Sequence, residues 1–430
     1  MNGRLPAVVT DDGHRRPTSG LGSVRNKRLV LVSHDLSQSG SPLLLVETAM
    51  RLRHAGAHVE LVTLAGDTDR DDIAARHGVP VVPLAASFAR CAQAELVIAN
   101  TAESAGWVRH YLHDHPRSGT RLLWWIHEIT ADQYADEFQT LASVRALVFD
   151  SHASLNAWAA TGMALPSIVR VIHPYVADSV VTSAASTHHP YHNMAHVPSL
   201  PERALMRVFR RIGLTRWPLA GESAYDRKAI RRALGVEPQD FVVTLIGPYQ
   251  SRKGNMLLAE TVGRVLEEDP RLPLKLLLVG FWDHAQAQRL LDSVDTTTRR
   301  ALDPRRLVPI VRDLTPYYAA SDAFAMNSQG PGENFGRVTI EAMAFKLPVL
   351  GTNAGGTPEV VVDRITGLLH PIGIAGQKEL AANIRLLLMN REEGTAMGEA
   401  GYRRVHERFT TRRFDAEFDA LLRELFTDER

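Results

Sequence analysis

The sequence has one cysteine, Cys91, in 430 residues. No intrachain disulfide can form and no cysteine-based metal cluster is available, so the chain tolerates a reducing compartment. It also lacks long apolar runs. The longest, such as Leu29–Val32 and Leu276–Val279, fall far short of the ~18–20 residues that a membrane-spanning helix needs. Neither charge dominates: 49 Lys+Arg against 48 Asp+Glu leaves +1, which argues against a dedicated nucleic-acid coat protein. The first 27 residues mix Pro6, Asp11, Asp12, Arg15, Arg16 and Pro17 with glycines and have no apolar middle of the kind a signal peptide carries. They read as a mobile polar leader, and the expected location is cytoplasmic.

What is present is ordinary globular composition, 45% hydrophobic and 23% charged residues, which excludes global disorder. At ~100–200 residues per domain, two domains are the simpler count. From Arg28 onward, short β-type runs alternate with segments of helical spacing. Strands are expected at Arg28–Ser33, His58–Thr63, Pro80–Pro83, Leu96–Ala99, Leu122–Ile126 and Ala146–Phe149, with a helix over Pro42–Ala55. Such alternation implies a parallel sheet covered on both faces.

The rhythm breaks between Asp178 and Ser223, where prolines and histidines accumulate; this reads as a linker or insertion, with a possible helix at Glu202–Ile212. It resumes with strands at Phe241–Ile246, Leu274–Val279, Val308–Val311, Ala323–Met326, Val349–Gly351 and Gly367–His370. Helices are expected between them, at Met256–Glu268, His284–Ser293, Pro316–Ser321, Gly336–Phe345, Thr357–Val362 and Lys378–Asn390. The tail from Thr411 to Leu425 carries Phe414, Phe418, Leu421, Leu422 and Leu425 on one helical face and must dock somewhere. The fold class is therefore α/β, two doubly wound Rossmann-like units facing across a cleft, where ligands bind at the carboxyl ends of the strands.

The most informative segment runs from Gly332 through Glu333-Asn334-Phe335-Gly336 to Glu341 and on to Pro348-Val349. A helix starting near Gly336 puts Glu333 just before its first turn and Glu341 more than one turn inside. The N–H groups of Asn334, Phe335 and Gly336 then suit an anion or a polyhydroxylated ligand. By spacing alone, a helix with Glu333 as a charged cap and Glu341 in solvent is equally open.

This run resembles the donor-site signature of the retaining family-4 glycosyltransferases (glycosyl transferases group 1), which have the GT-B fold. The resemblance continues through Thr352-Asn-Ala-Gly-Gly-Thr-Pro-Glu359 and Asp363-Arg-Ile-Thr-Gly-Leu-Leu369. It implies that Glu341 binds the ribose of a nucleotide, that Glu333 binds donor-sugar hydroxyls, and that the N–H groups of 334–336 hold sugar or diphosphate.

A second segment, Gly247-Pro-Tyr-Gln-Ser-Arg-Lys-Gly254, follows a strand. Read alone it is a phosphate-facing basic turn or a solvated one. By the resemblance, Lys253 stabilises the leaving diphosphate, while Pro248 stands where the family carries arginine; Arg252 is the candidate to supply that charge. Gly40, in the loop after the first strand, allows close approach of a phosphate or sugar or marks a plain turn; the family shows two adjacent glycines there and this chain has Ser39-Gly40. His127 ends the strand Leu122–Ile126. By itself it reads as a structural histidine, and by the resemblance it lies near the donor's anomeric carbon, where it hydrogen-bonds the sugar or orients the acceptor. Glu128 is a possible acceptor contact.

Other features favour plain readings. His188, His192 and His196 have metal-like spacing but Pro190 interrupts them. Asp67-Thr-Asp69 sits in a charged loop, Asp283 reads as a helix cap, and Trp124 and Trp125 read as core or as a face for a sugar ring. The resulting expectation is a metal-independent, retaining hexosyltransferase with catalytic residues His127, Lys253 and Glu333. It uses a nucleoside-diphosphate sugar (UDP favoured) as co-substrate, no cofactor, and a small-molecule, glycan or lipid acceptor. It binds no nucleic acid and has no integral membrane segment. Donor-binding residues are Gly40, Arg252, Lys253, Glu333, Asn334, Phe335, Gly336 and Glu341. The expected layout is a leader at 1–27, an acceptor domain at 28–177, a linker at 178–238, a donor domain at 239–407, and a final helix at 408–430 crossing back to the first domain. The alternatives are a GT-B phosphorylase, a nucleotide-sugar epimerase, or a sugar-nucleotide-binding module with weak chemistry, the last suggested by Pro248 and Ser39.

Overall fold

The structure is a computed structural model that describes residues 20–37, 40–65, 78–115, 121–131, 143–186 and 226–427, with positions 74 and 134. Two parallel sheets organise it. The first has seven strands in the order β3-β2-β1-β4-β5-β6-β7. These are β1 (Arg28–Ser33), β2 (His58–Thr63), β3 (Val81–Val82), β4 (Leu96–Asn100), β5 (Leu122–Ile126), β6 (Ala146–Phe149) and β7 (Ile168–Val171). The second has six strands in the order β10-β9-β8-β11-β12-β13. These are β8 (Phe241–Ile246), β9 (Leu274–Phe281), β10 (Leu307–Pro309), β11 (Ala323–Met326), β12 (Val349–Thr352) and β13 (Gly367–His370). The central strands β4, β5, β6 and β8 are buried along their whole length. That is why they read as continuous apolar runs rather than alternating ones.

In each sheet the strand order reverses once, between β1 and β4 and between β8 and β11. A crevice opens at the carboxyl ends of such a pair because the following segments diverge to opposite faces. The helices that frame these crevices are α1 (Gly40–His54), α2 (His152–Ala159), α3 (Asp178–Ser186), α4 (Asn255–Glu268), α5 (Arg337–Ala344), α6 (Thr357–Val360) and α7 (Thr411–Thr427).

One sequence expectation is corrected. The stretch from 20 to 27 is not a loose leader: Leu21 and Val24 are fully buried in the first domain's core, and Ser23 donates from N and Oγ to Asp419 at 2.9 and 2.6 Å. The apolar face of α7 covers them. At the start of the segment read as a linker or insertion with some local structure, Val180, Val181 and Ala184 of α3 pack onto the second domain's core. Strand β7 is absent from the expected strands; it is short and only Ile168 in it is buried, which hides it from a search for solid apolar runs. The helix expected at Glu202–Ile212 lies outside the described residues, as do His188, His192, His196 and the Asp67–Asp69 pair.

Helix α7 packs on the turn at Leu21–Val24. Phe414, Phe418, Leu421, Leu422 and Leu425 are all buried in the first domain's core, and Trp125 stacks on Phe414 and Phe418 with centroids at 5.8 and 5.7 Å. Full burial of each such side chain is worth about 2 kcal/mol, which makes this helix an integral part of the first domain. Trp124 and Trp125 are both 0% exposed, so both are core residues.

Candidate active site

Lys253 and Glu333 stand on opposite sides of the second sheet's crevice. Lys253 ends a short turn after β8, and Gly254 leaves that turn at φ +67. A Cβ on Gly254 would come within 2.1 Å of the Asn327 carbonyl oxygen, so glycine is required for α4 to begin there. Glu333 follows β11. The Lys253 ammonium donates to Glu333 Oε2 at 2.6 Å, and Ser328 Oγ donates to the same oxygen at 2.8 Å. Burial pushes the Glu333 carboxyl up, but the paired Lys253 ammonium, the nearby Arg252 and the Ser328 hydroxyl outweigh it and hold the group below the usual carboxylate range.

Gly336 caps α5 at φ +79, and a Cβ there would meet Met326 Cε at 2.9 Å and Glu333 Cγ at 3.1 Å. The glycine thus lets the chain turn sharply from Glu333 into the helix. Among the described residues, the backbone N–H groups of Asn334, Phe335 and Gly336 take no protein acceptor, as expected for a helix start that offers donors to a ligand. Glu341 lies further along α5, half-buried, and accepts from Tyr318 Oη at 2.8 Å. Burial holds its carboxyl above the usual range, with Arg337 and Tyr318 opposing and Glu47 adding to the shift. The two glutamates on one helix start therefore differ in electrostatic state.

Three other sequence-derived residues, Arg252, Gly40 and His127, make no direct hydrogen bond to this pair. Arg252 is exposed at the crevice rim, and its carbonyl accepts from Gln329 N at 2.7 Å. Gly40 begins α1, where an added Cβ would meet nothing within 4 Å, so the structure shows no steric demand for glycine. His127 follows β5 with both ring nitrogens engaged. Nδ1 is 2.6 Å from Asp150 Oδ2, and Nε2 is 2.7 Å from Asn100 Oδ1. Its ring is 6% exposed, so it must release Asn100 before a ligand takes a bond from Nε2. Asp283 caps its helix by accepting from Gln286 N at 2.7 Å.

Contacts that the sequence did not disclose tie the first domain to the Glu333–Gly336 turn. Asn334 donates from Nδ2 to the His127 carbonyl at 2.7 Å and accepts from Ser151 Oγ at 2.6 Å. Gly356 passes so close that a Cβ on it would fall 1.8 Å from the Asn334 carbonyl oxygen. Arg337 pairs with Glu47 of α1 at 2.8 and 3.1 Å. Glu128 accepts from the N–H groups of Ala102 and His127 at 2.7 and 3.1 Å, and burial raises its carboxyl. Ser151 precedes α2 and caps it by accepting from Ser154 N. Its second role, on Asn334, had no local signal.

Comparison with known proteins follows the same division. Residues 25–187 match the family described as glycosyl-transferase family 4, and residues 240–390 match glycosyl transferases group 1. The chain belongs to glycosyltransferase family 4. Among its relatives are proteins named D-inositol 3-phosphate glycosyltransferase. That of Segniliparus rotundus is 32% identical over 185 residues, 41% of this chain and 38% of that protein. That of Rhodococcus erythropolis is 33% identical over 150 residues, 34% of this chain and 33% of that protein. These alignments span 33–38% of the relatives' own length.

Among solved structures, HepE of Anabaena in complex with UDP-glucose aligns with a TM-score of 0.69 at 17% identity, covering 94% of this chain and 100% of that one. Sucrose-phosphate synthase of Thermosynechococcus elongatus aligns at 0.64 and 18%, with 94% and 100% covered. The shared fold is GT-B, and this family-4 chain has both of its Rossmann-like units. Among the described residues, no helix is long and apolar enough to cross a membrane.

Proposed function

We propose that this family-4 protein transfers a hexosyl group from a nucleoside-diphosphate sugar, UDP-linked by preference, to an acceptor hydroxyl with retention of the anomeric configuration. The observation that carries the reading is the Lys253–Glu333 pair across the β8/β11 crevice, with free N–H groups at 334–336 and Glu341 on the same helix. A diphosphate seated there takes the Lys253 ammonium, which frees the Glu333 carboxylate to accept sugar hydroxyls. Glu341 accepts the ribose hydroxyls, and the start of α5 adds its dipole. HepE, which shares the fold, was solved with UDP and with UDP-glucose, which supports the choice of base.

As the glycosidic bond breaks, negative charge grows on the leaving diphosphate. Lys253 and the helix start are already oriented toward it, so little reorganisation accompanies the step. The acceptor hydroxyl attacks on the face the diphosphate leaves and gives its proton to a departing phosphate oxygen. His127, clamped by Asp150 and Asn100, orients sugar and acceptor and is no nucleophile. The reaction draws on no resident cofactor or metal, and the first domain binds the acceptor.

A thermal-shift series of UDP-, GDP- and ADP-sugars tests donor choice, since stabilisation follows affinity; the UDP-sugar is expected to give the largest rise. Transfer is then assayed with an acceptor panel that includes inositol 3-phosphate, the substrate in the relatives' name. An inverted product by NMR would refute the mechanism.

A further inference from the structure

Three side chains outside the donor site meet on the seam between the domains. His152 is the first residue of α2, His173 follows β7, and Glu359 sits on α6 of the second domain. One ring nitrogen from each histidine and a carboxylate oxygen of Glu359 lie within 4.8 Å of one another. His173 Nε2 is 3.0 Å from Glu359 Oε2, and the two imidazole rings meet edge-on with centroids 5.9 Å apart. Two imidazoles and a carboxylate form a donor set that suits a zinc-type dication and leaves a fourth position for water. Bonds of about 2.0–2.1 Å in a tetrahedron place ligand atoms about 3.3 Å apart. The His173–Glu359 pair therefore needs to open by only a few tenths of an ångström, while the exposed His152 ring turns inward.

The electrostatics fit as well. A carboxylate offers about four lone-pair positions. Glu359 uses two of them for the N–H groups of His152 and Ala153, at 2.9 and 2.7 Å, which start α2. The position facing His173 is the one a metal would take, in place of a proton, so the bonds to the helix start survive. Behind the site, His173 stacks on Phe335 with centroids at 5.4 Å and meets Phe409 edge-on at 6.1 Å. These rings hold the imidazole from the apolar side and leave its carboxylate-facing edge toward the cluster.

We propose that His152, His173 and Glu359 form a divalent transition-metal site that clamps the two domains together. Two ligands come from the first domain and one from the second, so an occupied site holds the seam closed. Through Phe335 it also holds the Glu333–Gly336 loop against the first domain. The ion is a clamp and takes no part in group transfer, so the proposal stands independently of which donor or acceptor the chain uses.

The test is a titration of the metal-free full-length chain with Zn²⁺ against a chromophoric chelator, comparing wild type with His152→Ala and His173→Gln. His152→Ala is the cleaner variant, because the ring is exposed and the backbone N–H to Glu359 remains. A metal-free melting temperature equal to that of the wild type checks its fold. Wild type is expected to bind one equivalent at least tenfold more tightly than either variant, and Zn²⁺ is expected to raise the melting temperature of wild type alone. The same zinc stoichiometry and affinity in all three proteins, with binding carried by other histidines, would overturn the proposal.

Discussion

Replacing Lys253 by methionine keeps the length of the side chain and removes its charge, leaving the Glu333 carboxylate in the crevice with only the Ser328 hydroxyl at 2.8 Å and the field of Arg252. At 2.6 Å the gross Coulomb attraction is about 6 kcal/mol for an effective dielectric of about 20, and the desolvation of both groups takes back much of that. Breaking a buried pair by deleting one partner costs about 3–5 kcal/mol. The two side chains are 19% and 13% exposed and Ser328 stays, which brings the expected loss to about 2–3 kcal/mol at neutral pH.

The pH dependence separates this cause from a packing defect. In the wild type the Glu333 carboxyl titrates below its unfolded value of about 4.3. Its contribution is therefore present above that value and is lost as pH falls through the folded one. Without Lys253, burial (the largest influence on this group) acts with less opposition and raises the carboxyl, so the variant loses stability as pH rises. The deficit should shrink to below about 1 kcal/mol near pH 4. Urea-unfolding midpoints of both proteins across that range measure it, and adding Glu333→Gln to Lys253→Met should restore at least half of the loss. A deficit that does not change with pH, or a double variant whose loss is the sum of the singles, would refute the reasoning.

Further outcomes follow from the same geometry. Gly336→Ala forces a side chain into φ +79 against Met326 and Glu333; a loss of about 1–2 kcal/mol is expected in urea unfolding, with weaker nucleotide binding by calorimetry. Tyr318→Phe removes the donor at 2.8 Å from Glu341 and raises that carboxyl further; nucleotide affinity should fall about fivefold, the cost of about 1 kcal/mol for one hydrogen bond, and fall more steeply than in the wild type as pH is lowered. Glu47→Gln leaves the Arg337 guanidinium without its cross-domain carboxylate; about 3 kcal/mol of stability should be lost, most of it recovered by Arg337→Leu in the same chain. Arg252→Ala should lower turnover by about 10²-fold if that exposed cation replaces the one missing at Pro248, and unchanged steady-state kinetics would show that Lys253 acts alone.

Local pattern carried much of the architecture. The buried strands announced themselves as β-branched and leucine runs, and the turn from Glu333 through Gly336 into α5 was readable because a left-handed cap, an acidic pair and a helix-forming run lie within ten residues. The apolar face of α7 was equally plain, since its five large side chains recur at helical spacing whatever they pack on. Strand β7 and the buried turn at Leu21–Val24 were not, because each is short and gains its burial only from neighbours distant in sequence.

The amino-acid sequence alone determined that there are two parallel α/β units, and where the turn from Glu333 into α5 lies, because those depend on interactions within about a dozen residues. The partners of that turn were decided only by tertiary structure. Asn334 meets Ser151 across 183 positions, His173 meets Glu359 across 186, and Arg337 meets Glu47 across 290. Each of these pairs exists because two sheets dock at one relative orientation, and a polar side chain buried by that docking takes whichever donor or acceptor the other face presents. No periodicity records such a partner, so the seam, with its hydrogen bonds and its His152–His173–Glu359 cluster, belongs to the folded molecule.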